Sequence, residues 1–233
     1  MDRFYRTEIL LGKDNLDKIK HTKVLVLGLG GVGGIVVEML ARIGVQKFVL
    51  VDYDKFEITN LNRQILALDE NIGCFKTEIA AKRLKSIGPQ IEVKTYQEFA
   101  TPENIHKFLE NVDIVVDAID SVQSKVSILT YLHKNNIPVV SSMGAGFVTD
   151  PLTVKIADIA ETKGCRLARY VRKNLKKEGI NRGILCVYSD EENRQVNTDR
   201  KTKLGSIATI TNLFGIMLAH CVFKLSLTQT SRN

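Results

Sequence analysis

The stretch of residues 23–54 constrains the fold of this chain more than any other part of the sequence. An apolar run at residues 24–27 leads into five glycines within residues 28–34. A periodic apolar segment then continues to residue 43, and a second apolar run ends at Asp52. A strand, a tight glycine turn, a helix, a strand and an acid in this order are typical of a nucleotide-binding βαβ unit. The sequence therefore predicts that the phosphates of a nucleotide lie on the glycine turn.

The glycines of this turn have different expected roles. Gly28 permits the sharp turn out of the strand, and Gly30, with Gly31 beside it, lets the backbone approach a phosphate. Gly33 lets the helix pack closely on the sheet, so that the free N–H groups of the helix N-terminus face the ligand. Asp52 lies 24 residues after Gly28, close to where an acid that binds ribose is expected. A glycine-rich turn that holds no ligand is the alternative.

The rest of the chain continues the alternation of strands and helices. We predict helices at residues 1–22, 74–87, 101–111 and 121–136, and strands at 91–99, 114–118 and 137–146. After residue 150 we predict an antiparallel strand at 152–159, a helix at 164–180, a strand at 183–189, a mobile polar loop at 191–203 and an apolar helix at 206–227. The predicted fold class is α/β, a Rossmann-like, mostly parallel sheet with helices on both faces, plus C-terminal antiparallel strands and helices.

The length of 233 residues suits a single domain. We expect a nucleotide-binding core at residues 1–150 and a C-terminal extension at 151–233, which contains a basic helix and the apolar terminal helix. In open parallel sheets, ligands bind beyond the carboxyl ends of the strands. The glycine turn, Asp52, Asp120 and the glycines within residues 144–146 all fall at those ends, which is the best positional argument for a site there.

The cysteine pattern and the termini bear on the compartment. The four cysteines lie far apart and form no CxxC pair, which indicates reduced thiols and neither a disulfide framework nor a zinc site. The N-terminus lacks the apolar core of a signal peptide, so a cytoplasmic location is predicted. The apolar segment at 206–227 is long enough to raise the question of a membrane span. Its polar side chains favour a buried or subunit-interface helix, and membrane association through this helix is the alternative.

Charged residues near the predicted site distinguish between nucleotides. A dinucleotide's pyrophosphate can largely be bound by a helix N-terminus and glycine backbone, whereas ATP with its metal needs cations and a carboxylate. Arg63 follows the ribose acid, Lys76 opens the next helix, and Asp120 ends the third core strand. These three residues favour ATP over a nicotinamide or flavin dinucleotide, although each taken alone is equally consistent with a solvated charge.

At these residues the chain resembles a known superfamily. The segments GLGGVGG, LVDYDKFEITNLNRQ, GCFK and VVDAIDS resemble the ThiF/MoeB-type adenylyltransferases, which include ubiquitin-activating enzymes, over residues 3–146. Within that superfamily the chain is most similar to the tRNA threonylcarbamoyladenosine dehydratases. This similarity rests on RFYRTEILLG, NRQILAL, VVDAIDSVQSK and SSMGAGFVTDPLTVKIADIAET, and it extends past residue 190.

The resemblance implies ATP and Mg²⁺ as cofactors, with a monovalent cation left open and no zinc. The implied nucleotide-binding set is Gly28, Gly30, Gly31, Gly33, Asp52, Asp54, Asn60, Arg63, Lys76 and Asp120. Within it, Asn60, Arg63 and Lys76 match phosphate-binding positions, and Asp120 matches the acid associated with the metal. Arg6 matches an arginine that reaches the phosphates of the neighbouring subunit in related enzymes, which implies a homodimer. Arg6, Arg63, Lys76 and Asp120 are the implied catalytic residues.

The reaction that the resemblance implies is activation of a carboxylate by ATP. In the dehydratases the carboxylate belongs to the threonine of threonylcarbamoyladenosine in tRNA, which is cyclised with net loss of water. The alternative is activation of the C-terminus of a ubiquitin-like or sulfur-carrier protein, with a carrier or sulfur-transfer protein as partner. Such enzymes usually carry two CxxC pairs for zinc, and their absence here counts against that reading. A dinucleotide-dependent oxidoreductase is the third hypothesis.

A basic segment is consistent with a tRNA partner. Residues 163–182 contain eight basic side chains and one acid, which equals the net charge of +7 of the whole chain. The expected RNA contacts are Arg166, Arg169, Arg172, Lys173, Lys176 and Lys177. The face expected to point inward is Leu167, Tyr170, Val171, Asn174 and Leu175. A solvated basic face and a membrane-surface helix are the alternatives. Cys165 is either a reactive thiol near cations or a small residue near a helix start.

Overall fold

The structure, a computed structural model, describes residues 2–191 and 205–228. In this part of the chain one sheet has seven strands, which are β1 Lys23–Leu27, β2 Lys47–Val51, β3 Glu92–Tyr96, β4 Ile114–Asp117, β5 Val139–Ser142, β6 Val154–Asp158 and β7 Leu185–Ser189. Their order across the sheet is β3-β2-β1-β4-β5-β7-β6. Neighbouring strands are parallel except for β6, which pairs antiparallel with β7 at the edge. The predicted fold class, including the added antiparallel strand, is confirmed.

The α-helices of the described residues are α1 Tyr5–Leu11, α2 Lys13–His21, α3 Gly33–Ile43, α4 Lys76–Ile87, α5 Val122–Lys134, α6 Arg166–Lys177 and α7 Ala208–Thr228. The helix predicted at 101–111 is wrong, because only one 3-10 turn forms there, at Ile105–Phe108. The Asn104 side chain accepts the Thr101 N–H at 2.8 Å and donates to the Phe99 carbonyl at 2.9 Å. The predicted loop at 191–203 lies almost entirely outside the described residues.

The sheet is covered on both faces, as the alternating side chains of β1 demonstrate. Val24 and Val26 point to a core shared with α3 and α7, whereas Leu25 and Leu27 point to a second core shared with α5 and α6. Successive side chains of a strand point to opposite faces, so a strand that is apolar on both faces must be central. The first βαβ unit therefore lies in the middle of the fold, and its glycine turn lies at the carboxyl ends of the parallel strands.

The C-terminal helix α7 is a core element. By length and composition alone its 21 residues could cross a membrane, but half of the 18-residue apolar stretch within it is buried inside the protein. The side chains of Ile210, Phe214 and Leu218 are fully buried against α3 and the sheet. A Cβ atom at Gly215 would lie 2.6 Å from the carbonyl oxygen of Val32, so only glycine permits this close approach to α3. The prediction of a buried helix is confirmed for this face of α7.

Candidate nucleotide-binding site

The carboxyl ends of four neighbouring strands, β2, β1, β4 and β5, lie side by side. Leu27, the last residue of β1, is in register with Val51 of β2 and with Asp117 of β4. Asp117 is in turn in register with Ser141 of β5. The segments that follow these strand ends carry the predicted residues Gly28, Gly30, Gly31, Gly33, Asp52, Asp54 and Asp120. The fold therefore brings Gly28 and Asp120, which are 92 positions apart, to the carboxyl ends of adjacent strands.

The glycine turn is shaped by close backbone contacts. Gly28 has a φ of +87°, and a Cβ atom there would lie 2.7 Å from the carbonyl oxygen of Ala118. A Cβ atom at Gly33 would lie 1.8 Å from the carbonyl oxygen of Gly28. At Gly30 the nearest atom to such a Cβ would be the side-chain nitrogen of Gln64, 3.9 Å away. Gly28 and Gly33 are therefore required by the backbone, whereas Gly30 leaves space where a phosphate can approach.

The first turn of α3 begins directly beyond this space. Among the described residues no side chain caps the N-terminus of α3, whose N-cap is Val32. The first N–H groups of a helix have no partner within the helix, and together with the helix dipole they favour an anion. A phosphate above Gly30 would meet these N–H groups. The backbone of this turn and of the helix N-terminus therefore fits the phosphates of a nucleotide.

Asp52 connects the glycine turn to the end of β2. Its Oδ2 accepts the Leu29 N–H at 2.6 Å, and its Oδ1 accepts the Asp54 N–H at 2.8 Å. Burial raises the pKa of this carboxyl group, and the opposing charge of Lys76 and the two backbone bonds offset part of the increase. Each carboxylate oxygen has a further lone pair, which can accept a ribose hydroxyl. The geometry suits the ribose role that the sequence predicts for Asp52.

Lys76 and Asn60, two further predicted residues, are both buried. Lys76 Nζ donates to Asp54 Oδ2 at 2.7 Å, and the side chain of the lysine is 7% exposed. Asn60 is also buried, and its Oδ1 accepts the Glu57 N–H at 3.3 Å in a capping arrangement. The ammonium group of Lys76 therefore has one carboxylate partner and two remaining donors. Those donors can bind phosphate oxygens without breaking the ion pair.

Arg63 is held close to the site by its own loop. Its Nη1 donates to the Thr59 carbonyl at 2.8 Å and to Asn62 Oδ1 at 2.9 Å. Within residues 2–191 and 205–228 no carboxylate pairs with this guanidinium. A guanidinium that keeps its charge unneutralised and its donors partly free suits a polyphosphate.

Asp120 is exposed in the turn after β4, on the same side as Tyr53. The charge of Asp54 raises the pKa of the Tyr53 hydroxyl, and burial, Asp120 and Asp52 add to the increase. The carboxylates of both loops are therefore close enough to act on one tyrosine. Mg²⁺ prefers oxygen ligands and is commonly held by one or two carboxylates together with substrate phosphates. In the described part of the chain no group of three or more His, Cys, Asp or Glu side chains is suited to a metal. Asp120 with ATP phosphates fits such a site, whereas an all-protein cage does not.

Arg6 lies apart from these groups in its interactions. It is exposed on α1, and among the described residues it makes no hydrogen bond and no ion pair. The other predicted nucleotide-binding residues are brought together within one chain. Arg6 therefore stays a prediction that depends on a second subunit.

The side chain of Gln64 was not singled out from the sequence. It is buried, its nitrogen faces the space at Gly30, and its Oε1 has no hydrogen-bond partner among the described residues. A buried acceptor without a partner costs free energy, which a ligand donor can recover. The only signal in the sequence is its position directly after Arg63.

A buried ion pair next to the turn that carries Asp120 is a second feature that the sequence did not predict. Lys125 and Asp117 are fully buried, and Lys125 Nζ donates to Asp117 Oδ2 at 2.6 Å. The Ser141 hydroxyl donates to the same oxygen at 2.6 Å, and Asp117 Oδ1 accepts the Ile119 N–H at 3.2 Å. The pair therefore fixes the start of the turn that carries Asp120. An acid at the end of an apolar strand and a lysine eight positions later are the weak sequence signal.

The C-terminal extension closes against the glycine turn. The Thr211 hydroxyl of α7 donates to the Arg63 carbonyl at 3.4 Å, and a Cβ at Gly31 would lie 3.2 Å from Thr211. The Asn62 side chain donates to the Ser206 carbonyl at 2.9 Å. These contacts join residues 205–228 to the predicted nucleotide-binding core, so the extension takes part in shaping the site.

The basic helix α6 packs on the other face of the sheet. Its buried side chains are Ala168, Val171 and Leu175, whereas the expected inward residue Tyr170 is 51% exposed, so that assignment is wrong. The buried face is shifted from the predicted one, because it includes Ala168 and leaves Tyr170 outside. Most of the predicted RNA contacts are exposed, namely Arg166, Arg169, Lys173, Lys176 and Lys177.

Two residues of this helix have structural partners. The Arg172 guanidinium is half-buried and donates to the carbonyls of Thr162 at 2.8 Å and Ile159 at 3.4 Å. Cys165 is buried at the N-cap, where its Sγ accepts the Ala168 N–H at 3.4 Å. The interpretation of Cys165 as a small residue at a helix start agrees with this position. Arg172 is oriented by the backbone and does not swing freely.

Comparisons with known proteins agree with this geometry. The sequence profile of the ThiF family matches residues 3–233. A tRNA threonylcarbamoyladenosine dehydratase from Bacillus subtilis is 39% identical over 207 residues, which cover 88% of this chain and 82% of that protein. One from Escherichia coli is 37% identical over 197 residues, which cover 81% and 74%. The crystal structure of the E. coli enzyme, TcdA, in complex with ATP superposes with a TM-score of 0.90 at 33% identity and covers 99% of this chain and 96% of that chain.

Proposed function

The chain belongs to the ThiF family, and from that premise we propose that it is an ATP-dependent enzyme that cyclises threonylcarbamoyladenosine in tRNA. The observation that carries the proposal is the match over 99% of the chain to a dehydratase crystallised with ATP, with a TM-score of 0.90. The match includes the C-terminal extension and is therefore not limited to a nucleotide-binding core that many adenylyltransferases share. The open space at Gly30 and the buried Lys76 provide the independent physical support.

In this proposal the residues of the site bind and orient ATP. Asp52 accepts the ribose hydroxyls, and the N-terminus of α3 receives the phosphates. Lys76, Arg63 and Asn60 contact the phosphate oxygens, and the carbonyl oxygen of Gln64 accepts a donor from the ligand or its bound water. Mg²⁺, when bound at Asp120, supplies positive charge to the phosphates as they become more negative.

The chemistry converts a poor electrophile into a good one. A carboxylate oxygen of the threonine attacks the α-phosphorus of ATP, and pyrophosphate leaves. A nitrogen of the carbamoyl group then attacks the acyl carbon and gives up its proton. The carboxylate oxygen that was bonded to phosphorus leaves as part of AMP, so the nucleoside has lost the elements of water. The attacking nitrogen is already in the substrate, so the protein need not supply a nucleophile. Its contribution is positioning and neutralisation of charge by Arg63 and Lys76.

The substrate also accounts for the basic surface of α6. Cations that contact RNA phosphates release counterions, which gives affinity that falls with salt. The exposed side chains Arg166, Arg169, Lys173, Lys176 and Lys177 are the proposed contacts, together with the oriented Arg172. A tRNA substrate is consistent with work in the cytoplasm. Membrane association through α7 would have to use its outward residues, such as the 45% exposed Ile216.

Nucleoside mass spectrometry tests the proposed reaction directly. The protein is incubated with ATP, Mg²⁺ and tRNA that carries threonylcarbamoyladenosine, and the tRNA is digested under mild conditions. We expect that nucleoside to lose the mass of one water, and we expect the loss to require ATP.

The same incubation separates the proposal from its alternatives. An unchanged nucleoside, under conditions where calorimetry shows ATP binding, would contradict the dehydratase proposal. Pyrophosphate exchange that depends on a small protein ending in Gly-Gly, and not on tRNA, would instead indicate activation of a carrier protein. Tight binding of a nicotinamide dinucleotide without ATP binding would indicate an oxidoreductase.

We further propose that the enzyme is a homodimer in which Arg6 of one subunit reaches the phosphates bound by the other. Arg6→Ala is then expected to lower turnover by about tenfold to a hundredfold, because one charge at the phosphates is lost. Mixing Arg6→Ala subunits with Asp120→Ala subunits should restore activity, because each mixed dimer contains one complete site. Turnover of the mixture after exchange of subunits is the measurement. Two variants that stay as inactive when mixed as when separate would contradict a shared site.

A further inference from the structure

A recess of about 440 Å³ lies beside α6, away from the nucleotide-binding site. We call it the basic recess, and its lining is Ala160, Arg169, Arg172, Lys173, Lys176, Ile180 and Asn181. Four cations, one amide and two apolar side chains line it, and none of the lining residues is acidic. A concave surface of this composition suits a phosphate attached to an apolar or aromatic group.

One of the four cations is prearranged. The guanidinium of Arg172 is fixed by the carbonyl oxygens of Thr162 and Ile159, so its remaining donors have a defined direction. Arg169, Lys173 and Lys176 are exposed at the rim and keep their side-chain freedom. A fixed guanidinium below and mobile cations above bind an anion with less entropic cost than a surface of free lysines.

The basic recess lies at the amino ends of the parallel strands, whereas the glycine turn lies at their carboxyl ends. Asp158, at the end of β6, is in register with Leu185, the first residue of β7. Residues 159–161 and 180–184 therefore lie near the amino end of β7, which is parallel to β5. The glycine turn follows the carboxyl end of β1, and a strand of five residues is about 16 Å long. The basic recess is therefore separate from the site that binds ATP.

Helix α6 runs from the carboxyl ends of the parallel strands to their amino ends. Its N-cap Cys165 lies near Gly144, whose added Cβ would be 3.6 Å from the cysteine Sγ, and Gly144 follows the carboxyl end of β5. From there the helix runs back for 12 residues, or about 18 Å. Arg166, Arg169, Lys173 and Lys176 are spaced by three, four and three positions, so they form one stripe along the helix. The stripe therefore extends from the carboxyl ends of the strands, where the nucleotide site lies, to the basic recess at their amino ends.

We propose that the basic recess binds a phosphate-bearing nucleotide of the RNA chain other than the one that reacts. The proposal rests on tRNA being the substrate. The cations hold the phosphate, and Ala160 and Ile180 provide an apolar floor for the sugar or base. A polynucleotide fits better than a mononucleotide because the stripe continues past the recess toward the active site. Binding at both ends of α6 would align the substrate without any sequence-specific contact.

The test compares lysines inside and outside the recess. Fluorescence anisotropy gives the Kd of tRNA for the full chain at several salt concentrations. We expect Lys173→Gln to weaken binding and to reduce the slope of log K against log salt by about 0.7 to 0.9, the value of one lost phosphate contact. Lys177→Gln, on the same helix but outside the recess, should cause a smaller loss. Lys82→Gln, an exposed lysine of α4 on the other face of the sheet, is the matched control.

Each other outcome would overturn the proposal. Equal losses for Lys173→Gln and Lys177→Gln would indicate a diffuse basic face. A loss of ATP affinity in Lys173→Gln, with tRNA affinity unchanged, would indicate a mononucleotide site. A loss of binding only to vesicles of equal parts phosphatidylcholine and phosphatidylserine would indicate a membrane surface. Binding is measured without turnover, so a negative result in the nucleoside mass assay would not affect this comparison.

Discussion

Replacing Asp120 with alanine is expected to lower the turnover number by at least about a hundredfold, the usual cost of losing one preorganised electrostatic partner of a transition state. Asp120 is exposed in the turn after β4, and its carboxylate is near enough to Tyr53 to help raise the pKa of that hydroxyl. If it holds Mg²⁺ against the phosphates, its removal should abolish the effect of Mg²⁺ on ATP affinity. Turnover at saturating ATP and tRNA, and calorimetry of ATP binding with and without Mg²⁺, measure these two effects.

Folding should be unaffected, because Asp120 makes no ion pair among the described residues. Glu70→Ala removes another exposed carboxylate and should leave turnover, ATP binding and Tm unchanged. Arg63→Ala is expected to lower turnover in the same way, because it removes a guanidinium that pairs with no carboxylate in residues 2–191 and 205–228 and is therefore available to the phosphates. Near-normal turnover of Asp120→Ala, or an unaltered Mg²⁺ effect, would remove Asp120 from the metal site.

The parts of the fold that sequence predicts well are those in which local pattern and tertiary environment agree. In the first βαβ unit, the apolar runs, the glycines and Asp52 all specify the same geometry within about 30 residues. The contacts of Gly28 and Gly33 explain why glycine is needed there, and both contacts involve neighbouring strands or turns. The identity of the nucleotide could be inferred because charged residues follow strand ends, where ligands of such sheets bind.

The parts that sequence predicts poorly depend on side-chain bonds and distant contacts. At residues 101–111 the start signals for a helix are present, and the Asn104 side chain bonds to the backbone of Thr101 and Phe99, yet only a short turn forms. Thr211 and Arg63 are 148 positions apart, and no periodicity indicates that α7 shapes the glycine turn. Tyr170 shares a side of the helical wheel with buried residues, yet the depth of burial depends on how closely α6 approaches the sheet.

The buried pair of Lys125 and Asp117 is the clearest example of a feature that only the fold reveals. In the sequence, a lysine within a helix suggests a solvated charge, whereas in the structure both side chains are fully buried. Its bonds reach two strands and one turn, through Ser141 of β5 and the Ile119 N–H. The carbonyl of Ala118, between these anchors, lies against Gly28. The pair therefore supports both the turn that carries Asp120 and the glycine turn.

Replacing Lys125 with methionine should consequently affect both stability and activity. Removal of one partner leaves the Asp117 carboxylate buried without its counter-charge, which typically costs about 3 to 5 kcal/mol. Urea unfolding followed by circular dichroism measures this loss. Lys134→Met, at the exposed end of the same helix, breaks the surface pair with Glu178 and should change the free energy of unfolding by less than about 1 kcal/mol.

Two double variants separate the structural effect from the positioning effect. Replacing both partners of a buried ion pair with uncharged side chains of similar volume is often neutral for stability. We therefore expect Asp117→Asn/Lys125→Met to regain most of the lost stability. Asp117→Leu/Lys125→Met should fold but regain less, because the Ser141 hydroxyl and the Ile119 N–H lose their acceptor and leucine is larger than aspartate. Only the first keeps a side-chain oxygen that can accept the Ile119 N–H, so only the first should regain substantial turnover.

The folded leucine variant, measured below its unfolding temperature, should retain ATP binding but lose the effect of Mg²⁺ on that binding, because the turn after residue 117 is no longer held in place. A purely structural pair would not produce this combination, since restored stability would restore activity as well. Wild-type turnover in Asp117→Leu/Lys125→Met would show that Asp117 and Lys125 only stabilise the fold. Low turnover in Asp117→Leu/Lys125→Met, with turnover regained in Asp117→Asn/Lys125→Met, would instead show that an acceptor at residue 117, which does not contact the substrate, positions the turn that carries Asp120.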